Sequence, residues 1–286
     1  MSYLINTKNS TSKKLESFSI RPFFRWAGGK QNLIKKIFEF TPERKLNKYF
    51  EPFLGAGSMF FHGQFDNAFL SDINPNLVNA FRYVRDNPIE LFNSIQELNE
   101  SLSKEFYYKV RDDYNNDLTK QTVEQAARFI FLVHTSFNGI YRVNKKGHYN
   151  VPFGKKNPAL PSLNHLKTAS LKLSNSQIHA QYYDEILNLV DQDSFVYLDP
   201  PYPPLSKTAN FQHYTVDKFS HKQQIDVAEF AYKLAEKNAA ILISNADTQE
   251  INSLYKDWNI KKLQTTRYIS CKSKRTKVHE LVITNY

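Results

Sequence analysis

Hydrophobic and polar positions along the chain follow two periods, which together predict an α/β fold. Short, mostly apolar runs of four to six residues, bounded by glycine, proline or acidic residues, are typical of buried strands. These runs cover residues 49–54, 68–71, 195–198, 239–243 and 280–283. Apolar residues at helical spacing occur at Leu33, Ile34, Ile37 and Phe38, and a buried helix is predicted over residues 125–137.

The order of these elements predicts one sheet domain with an insertion. The first strand is followed by Gly55-Ala56-Gly57, the second ends at Asp72, and a helix is predicted to start near Asn74-Pro75, which is a βαβ pattern. We expect a sheet domain from residues 21–84 and 169–286 and an inserted, mostly helical domain at 85–168. Residues 1–20 are polar and are expected to form a flexible arm.

Composition and charge narrow the class of protein. The 286 residues are 41% hydrophobic, so the chain is globular, and no apolar run approaches the roughly 20 residues of a membrane helix. The polar N-terminus lacks a secretory signal, so a cytoplasmic protein is expected. The single cysteine, Cys271, excludes an internal disulfide and a multi-cysteine zinc site, and it is expected to be a plain strand residue. A net charge of +10 favours a polyanionic partner.

The motif Asp199-Pro200-Pro201-Tyr202 follows an apolar strand, at the end where open α/β sheets bind their ligands. An exocyclic amine such as adenine N6 is a poor nucleophile, because its lone pair is delocalised into the ring. The Asp199 carboxylate and the Pro200 carbonyl could accept both N–H bonds and stabilise charge on the nitrogen. Tyr202 could stack on a flipped base. The alternative is an ordinary turn with a surface tyrosine.

Three motifs nearer the N-terminus suit a nucleotide-like cofactor. Phe53-Leu54-Gly55-Ala56-Gly57 allows close backbone approach, and the following helix would attract a carboxylate. Asp72 ends the next strand, where an acid can bind ribose hydroxyls or simply cap a helix. In Trp26-Ala27-Gly28-Gly29-Lys30, Lys30 could hold a carboxylate and Trp26 could line a pocket; a solvated lysine is the alternative.

The segment 137–156 mixes cations, aromatics and amides and is predicted to be an ordered loop or hairpin. Arginine can form two hydrogen bonds with guanine, an aromatic ring can wedge between base steps, and lysines suit phosphates. The phosphate candidates are Lys145, Lys146, Lys155 and Lys156. A basic surface loop without sequence recognition is the alternative. The cations between Lys272 and Lys277 could likewise touch DNA or be solvated.

Together these motifs resemble the Dam-type adenine-N6 DNA methyltransferases, in their family order and from residue 23 to 286. The resemblance implies a Rossmann-like sheet domain that binds S-adenosylmethionine (SAM), an inserted DNA-recognition domain and double-stranded DNA as substrate. It implies contacts to SAM from Trp26, Lys30, Asp72 and Asp199, beside the pocket candidates Phe53, Gly55 and Gly57. It implies catalysis by Asp199, Pro200 and Tyr202.

The resemblance also implies contacts to DNA. Arg142 matches an arginine that recognises a guanine in GATC, and further loop positions match at Asn138, Ile140 and Pro152. Phe137 stands where a relative has an intercalating tyrosine, and Arg25 stands where a relative has a base-contacting lysine. No metal is implied, a cognate restriction endonuclease is a candidate partner, and a monomer is favoured.

Two other functions fit parts of the pattern. Methyltransferases that act on cytosine N4, protein glutamine or RNA adenine share the fold, but Asp199 argues against the first two and the inserted loop favours duplex DNA over RNA. A non-catalytic DNA-binding protein could keep the fold, although the intact Asp199, Tyr202, Gly55 and Gly57 argue against it.

Overall fold

The computed structural model describes residues 19–26, 28–154, 157–202, 219–267 and 276–286. A seven-stranded sheet forms its centre. The strands are β1 Lys48–Glu51, β2 Ala68–Asp72, β3 Gln177–Ala180, β4 Ser194–Leu198, β5 Ala240–Ala246, β6 Asn259–Arg267 and β7 Thr276–Thr284. Their order is β3-β2-β1-β4-β5-β7-β6, with β7 antiparallel to β5 and β6 and the other neighbours parallel.

Helices of the described chain connect and cover these strands. They are α1 Ile34–Phe38, α2 Ser58–His62, α3 Pro75–Asp86, α4 Pro88–Glu100, α5 Lys104–Asn116, α6 Val123–Thr135, α7 Leu163–Leu173, α8 His221–Glu236 and α9 Gln249–Leu254. Short 3-10 helices occur at Phe137–Gly139 and Tyr183–Ile186. None of the described helices is long and apolar enough to cross a membrane.

The central strands are apolar on both faces because both faces are covered. Every residue of β4 and β5 is buried, which explains why their sequences are continuous apolar runs rather than alternating ones. One core cluster includes Tyr49 of β1 and Leu242 of β5, and the other includes Val196 of β4 and Ile241 of β5. The sheet therefore forms the middle layer of the fold.

The helices between β2 and β3 share the larger core cluster with the sheet. Phe81 of α3 and Phe129 of α6 both pack edge-on against Phe24, and all three are buried. The inserted segment is therefore joined to the sheet through common side-chain packing. The domain boundaries at residues 84 and 169 stay a prediction.

The strand order reverses between β1 and β4, and this reversal locates the expected ligand site. In open α/β sheets the crevice for ligands lies outside the carboxyl ends of the strands at such a point. Gly55-Ala56-Gly57 follows β1, and Asp199 directly follows β4. The two sharpest motifs of the sequence are thus brought to one edge of the sheet.

Most predicted elements are confirmed, with differences at their ends. The helix expected near Asn74-Pro75 begins at Pro75, and the Asn74 side chain caps it by accepting from two backbone N–H groups. The helix expected to reach Phe137 ends at Thr135, because Ser136 adopts an extended backbone with a ψ of 163°. Asn138 in the following turn has a left-handed φ of 58°. Strands β3 and β6 were not predicted, since both are edge strands of mixed polarity.

Several expectations lie outside the described residues. They concern most of the N-terminal arm, Cys271, the lysine pair Lys155-Lys156 and the basic stretch from Lys272 to Arg275. Where the described chain begins, the Ile20 N–H donates to the Phe61 carbonyl at 3.0 Å.

Candidate active site

Four carboxylates lie near the edge of the sheet that carries the glycine turn and Asp199. Glu51 ends β1, Asp72 ends β2 and Asp199 follows β4. Glu280 comes from β7, which runs in the opposite direction, and is paired with Ala246 at the end of β5. Parallel strands and one antiparallel strand therefore bring acids to one place from four distant parts of the sequence.

Lys30 joins two of these carboxylates, Asp199 and Glu280. Its Nζ is 2.7 Å from Oδ1 of Asp199 and 3.5 Å from Oε1 of Glu280, and it donates to the Gly28 carbonyl at 2.8 Å. Lys30 is 6% exposed, so this ion pair is largely shielded from water. The sequence predicted that Lys30 could hold a carboxylate, and in the structure it holds two of the protein's own.

Tyr202 covers the same lysine. The Lys30 ammonium lies 4.5 Å from the centroid of the Tyr202 ring, a distance typical of a cation–π contact. The Tyr202 hydroxyl donates a short hydrogen bond to Glu280. The ring expected to stack on a base is thus held at both its face and its hydroxyl.

Asp199 receives a second hydrogen bond from within the sheet. Ser244 of β5 donates to Oδ1 of Asp199 at 2.8 Å, and the Tyr197 hydroxyl lies 2.9 Å from the Ser244 hydroxyl. Because the single Ser244 proton goes to Asp199, Tyr197 donates to Ser244. Burial raises the pKa of Asp199, and the contact with Lys30 limits that rise. Both contacts use Oδ1, so within the described chain Oδ2 is left to accept from a ligand.

The turn after Asp199 is fixed from the neighbouring helix. Gln224 of α8 donates from Nε2 to the Pro201 carbonyl at 2.8 Å, and its Oε1 accepts from Asn245 at 3.1 Å. The Pro200 carbonyl accepts no hydrogen bond from the described residues. The Pro201 carbonyl therefore fixes the turn through its hydrogen bond with Gln224, and the Pro200 carbonyl is left to accept from a ligand.

The glycine turn after β1 packs against Trp26. Gly55 has a φ of +48°, and a Cβ atom there would lie 2.8 Å from Cδ1 of Trp26, so only glycine fits. The Gly55 N–H donates to Oδ2 of Asp72 at 2.9 Å, while Oδ1 of Asp72 accepts from the Asn74 N–H. Each Asp72 oxygen keeps a lone pair for a further donor. Burial raises the pKa of Asp72.

The rest of this pocket fits a polar cofactor. Ser58 follows Gly57, and its hydroxyl is buried with no hydrogen-bond partner among the described residues. Phe53 is stacked on Tyr183, with ring centroids 5.1 Å apart. An unpartnered hydroxyl, an acid with spare lone pairs and a flat aromatic wall match the hydroxyls and the base of a nucleoside.

Glu51 is the most buried acid of the site, at 2% exposure. Its Oε2 accepts from the Tyr49 hydroxyl at 2.7 Å and from the Phe60 N–H at 3.1 Å. Desolvation outweighs these hydrogen bonds and raises the pKa of Glu51 to about 8. Glu51 therefore ties β1 to the first turn of α2 and carries a proton at neutral pH.

The predicted recognition loop forms a hairpin over residues 140–152. Isolated antiparallel bridges join Val143 to Tyr149 and Ser136 to Phe153. Alternate residues face inward: Tyr141, Val143, Tyr149 and Val151 are buried. The Tyr107 hydroxyl of α5 donates to the Val151 carbonyl at 2.8 Å, which anchors the hairpin to the inserted helices.

The outward positions of this hairpin include the predicted DNA contacts Ile140, Arg142 and Pro152. Arg142 donates from Nε to Oδ1 of Asn150 at 2.8 Å and from Nη2 to the Asn150 carbonyl at 3.3 Å. Its guanidinium is therefore oriented before any ligand arrives. At the tip, the exposed residues Lys145 and Lys146 lie in a turn capped by the Asn144 side chain.

Phe137 and Asn138 project from the base of the hairpin. Phe137 is 52% exposed. Its backbone is fixed because the Phe137 N–H donates to the Pro152 carbonyl, and a Cβ at Gly154 would lie 2.4 Å from the Phe137 Cα. A rigid backbone thus presents an exposed ring and an exposed amide side by side.

Contacts join the hairpin to the N-terminal motif. Tyr141 stacks on Trp26 with ring centroids 5.0 Å apart, and Trp26 also touches the glycine turn. Arg25 is exposed and lies beside Gly139, where an added Cβ would meet its Cδ at 3.8 Å. Next to Arg25 is a groove of about 390 Å³ whose polar lining includes Arg21, Gln31, His134 and His165.

The structure brings the predicted site residues together in three groups. Lys30, Asp199 and Tyr202 form one, and Trp26, Gly55 and Asp72 form the second. The third is the outward face of the hairpin with its base and tip. Phe53, two residues before Gly55, is stacked on Tyr183.

Sequence reasoning missed five side chains of the site: Glu51, Tyr197, Gln224, Ser244 and Glu280. Glu51 and Glu280 had a usable signal, since each is an acid within a run predicted as a buried strand, 49–54 and 280–283. Tyr197 and Ser244 become visible only through the sheet register, and Gln224 only through the packing of α8 against the sheet. Among the described residues, no cluster of three histidine, cysteine or acidic side chains could hold a metal ion.

Comparison with known proteins agrees with this geometry. The family model for D12 class N6 adenine-specific DNA methyltransferases matches residues 26–269. The chain is 40% identical to the type II methyltransferase M.MjaIII of Methanocaldococcus jannaschii, covering 93% of this chain and 99% of that one. It is 36% identical to the type II methyltransferase M1.LlaDCHI of Lactococcus lactis, covering 94% and 96%. It is 35% identical to the DNA adenine methylase of Escherichia coli K12, covering 92% and 94%. The chain therefore belongs to the D12 class of N6 adenine-specific DNA methyltransferases.

Proposed function

We propose that the enzyme methylates adenine N6 in duplex DNA at a specific site, with SAM as methyl donor and GATC as target. The observation that carries the catalytic part is the pair of open acceptors after β4. Within the described chain, Oδ2 of Asp199 and the Pro200 carbonyl are left over when Lys30, Ser244 and Gln224 have made their bonds.

These two acceptors suit the two hydrogens of an exocyclic amine. Hydrogen bonds to both N–H groups favour the tetrahedral nitrogen and free its lone pair for attack. As the nitrogen gains positive charge, the Asp199 carboxylate stabilises it through a dipole that is already in place. Lys30 and Ser244 keep the carboxylate from rotating, so the amine is held in a reactive geometry.

Tyr202 and Phe53 are the proposed aromatic surfaces of the site. The Tyr202 ring stands directly after the two prolines and can bound the position of a base flipped out of the duplex. Stacking on an aromatic ring contributes about 1–3 kcal/mol per base, which offsets much of the unstacking cost.

The second group of residues is the proposed cofactor pocket. When bound, SAM supplies an electrophilic methyl group on its sulfonium, which transfers in line to the nitrogen. Asp72 would accept ribose hydroxyls on its spare lone pairs, and the Gly55 turn with Trp26 would bound the pocket. Gly57 and Ser58 follow, and the Ser58 hydroxyl would gain the partner that it lacks in the described chain.

The hairpin is the proposed DNA-recognition element. Arg142, oriented by Asn150, would donate both guanidinium hydrogen bonds to one guanine. Phe137 would enter the base stack beside Asn138, while Ile140, Pro152 and Arg25 would contact neighbouring bases. Lys145 and Lys146 at the tip would contact phosphates.

The test is methyl transfer from labelled SAM to duplexes that differ only at one site, GATC against scrambled controls, with the labelled base identified. Label on N6-adenine in the GATC duplex alone is the expected result. Label on adenine in all duplexes would contradict the target but not the chemistry. No label on any duplex would contradict the DNA substrate.

Partnership with a restriction endonuclease is proposed because two of the relatives are type II methyltransferases by name. We also propose a cytoplasmic monomer. Sedimentation of the enzyme with and without a single-site duplex tests the oligomeric state, and a mass of one chain per duplex is expected.

A further inference from the structure

Glu280 gives the Lys30 cluster an excess of negative charge. Lys30 supplies one positive charge, and Asp199 and Glu280 supply one negative charge each, while the ion pairs of the described cluster include no second cation. Glu280 is 4% exposed, so water screens this charge weakly. A buried excess charge is costly unless an opposite charge arrives with a ligand.

We propose that Glu280 is a positioning residue whose charge makes the site prefer the cationic methyl donor over its neutral product. The inference rests on the proposed use of SAM. SAM carries a sulfonium, an ammonium and a carboxylate and so has a net charge of +1. The product S-adenosylhomocysteine (SAH) has lost the sulfonium charge and has a net charge of zero.

Lys30 is shared between the two carboxylates, so its positive charge neutralises only part of the negative charge of Asp199. With Asp199 alone, the short 2.7 Å contact would form a neutral pair with weak attraction for a further cation. With Glu280 at 3.5 Å, part of the lysine charge is balanced by a second carboxylate. Asp199 is 18% exposed, so the excess charge is felt at the one acid of the cluster that opens to the site.

The charge balance of the reaction gives this excess a function. The sulfur–methyl bond breaks with its electron pair going to sulfur, and the nitrogen lone pair forms the new bond to the methyl carbon. The positive charge thus moves from sulfur to N6 and leaves as a proton to solvent. A net negative cluster favours the donor and the transition state, and it loses its attraction once the proton has gone.

Glu280 also accepts from the Tyr202 hydroxyl, so a purely structural role must be separated from the electrostatic one. Tyr202→Phe removes this hydrogen bond and leaves the Glu280 charge in place. Glu280→Gln keeps the shape and removes the charge. The two variants therefore form a matched pair.

The experiment is titration calorimetry of the full chain with three ligands: SAM, SAH and a SAM analogue with a protonated amine in place of the sulfonium methyl. For Glu280→Gln we expect the affinity for both cations to fall about tenfold while that for SAH changes less than about twofold. For Tyr202→Phe we expect an unchanged ratio of SAM to SAH affinity. Equal losses for all three ligands in Glu280→Gln, or no change in the ratio, would overturn the role of Glu280.

The unmodified enzyme provides a second test that needs no folded variant. It should bind both cations more tightly than SAH, and equal affinity for the three ligands overturns the inference. If none of the three ligands binds, the cofactor assignment fails as well, so the two failures are distinguishable.

Discussion

One carboxylate oxygen of Asp199 contacts the protein, and the other is open to the site. Oδ1 accepts from Ser244 and pairs with Lys30, and Oδ2 faces no hydrogen-bond donor of the described chain. One carboxylate can therefore be rigidly held and still available to a substrate. Removing the Asp199 carboxylate would also change its surroundings, because the buried Lys30 would then pair with Glu280 alone.

Replacing Asp199 with alanine should abolish methyl transfer while the fold is kept. We expect a loss of at least about a thousandfold in turnover, because the acceptor that stabilises charge at N6 is gone. The measurements are methyl incorporation into duplex DNA and the thermal unfolding midpoint. The control is Asp66→Ala, an exposed acid away from the site. Turnover close to that of Asp66→Ala would refute the catalytic assignment.

Glu51 should make stability depend on pH in a defined window. Its pKa is about 8 in the folded protein and about 4.3 in an unfolded chain. Between these values the folded state holds a proton that the unfolded state releases, so the free energy of unfolding falls as the pH rises.

Glu51→Gln removes this dependence, so the variant should gain stability relative to the parent as the pH rises from 5 to 8. The expected gain is at most about 1.4 kcal/mol per pH unit. Chemical denaturation at several pH values measures the difference. Parallel stability profiles would show that Glu51 keeps an ordinary pKa.

At the scale of elements, buried and more exposed residues alternate along the hairpin 140–152. The buried side chains support the hairpin, and the proposed DNA-contacting side chains lie on its other face. Tyr141, Val143, Tyr149 and Val151 face the inserted helices, while Ile140, Arg142, Asn150 and Pro152 face outward. This alternation is the period of two of a β-strand, although only isolated bridges are formed. The proposed DNA-contacting residues thus lie on one side of a two-sided element whose other side is buried.

Arg142→Ala should weaken discrimination at a single guanine by about 1–3 kcal/mol. Competition between the target duplex and duplexes altered at one base pair each measures it. Lys145→Ala is the matched control, because this tip lysine should lower affinity for all duplexes alike and reduce the salt dependence. Unchanged preference at every position in Arg142→Ala would exclude its role in recognition.

The sequence predicted the strands that are completely buried, but it did not predict the edge strands of the sheet. Strands β4 and β5 are buried throughout, so their apolar runs stand out. The edge strand β3 has one buried residue, Ile178, and its pattern does not differ from a surface loop. For the site, motifs revealed residues at strand ends, but partners such as Ser244 depend on which strands are neighbours, and local sequence does not contain this information.

At the scale of the whole molecule, the chain has a net charge of +10, and part of this positive charge lies at one groove on the surface. The groove beside Arg25 has Arg21, Gln31, His134, Ser162 and His165 among its polar lining, and no carboxylate of the described residues lines it. Its position next to the hairpin suits the backbone of DNA that flanks the target. Phosphate contacts of this kind set affinity and its salt dependence rather than sequence preference.

Arg21→Ala should therefore lower DNA affinity equally for target and scrambled duplexes. The slope of log affinity against log salt concentration should fall by about 1, the value for one lost phosphate contact. The control is Lys256→Ala, which removes the same charge from an exposed position between α9 and β6. An unchanged slope in Arg21→Ala would show that DNA does not reach the groove.

The two-sided hairpin has a consequence for how new specificities arise. Under the proposed recognition role, substitutions at the outward positions change the base contacts while the four buried positions of the hairpin stay unchanged, so the stability cost of exploring a new target is small. The inward residues and the sheet with its carboxylate cluster can stay as they are while the outward ones vary. An engineer who wants a different target should therefore randomise positions 140, 142, 150 and 152 and leave positions 141, 143, 149 and 151 unchanged.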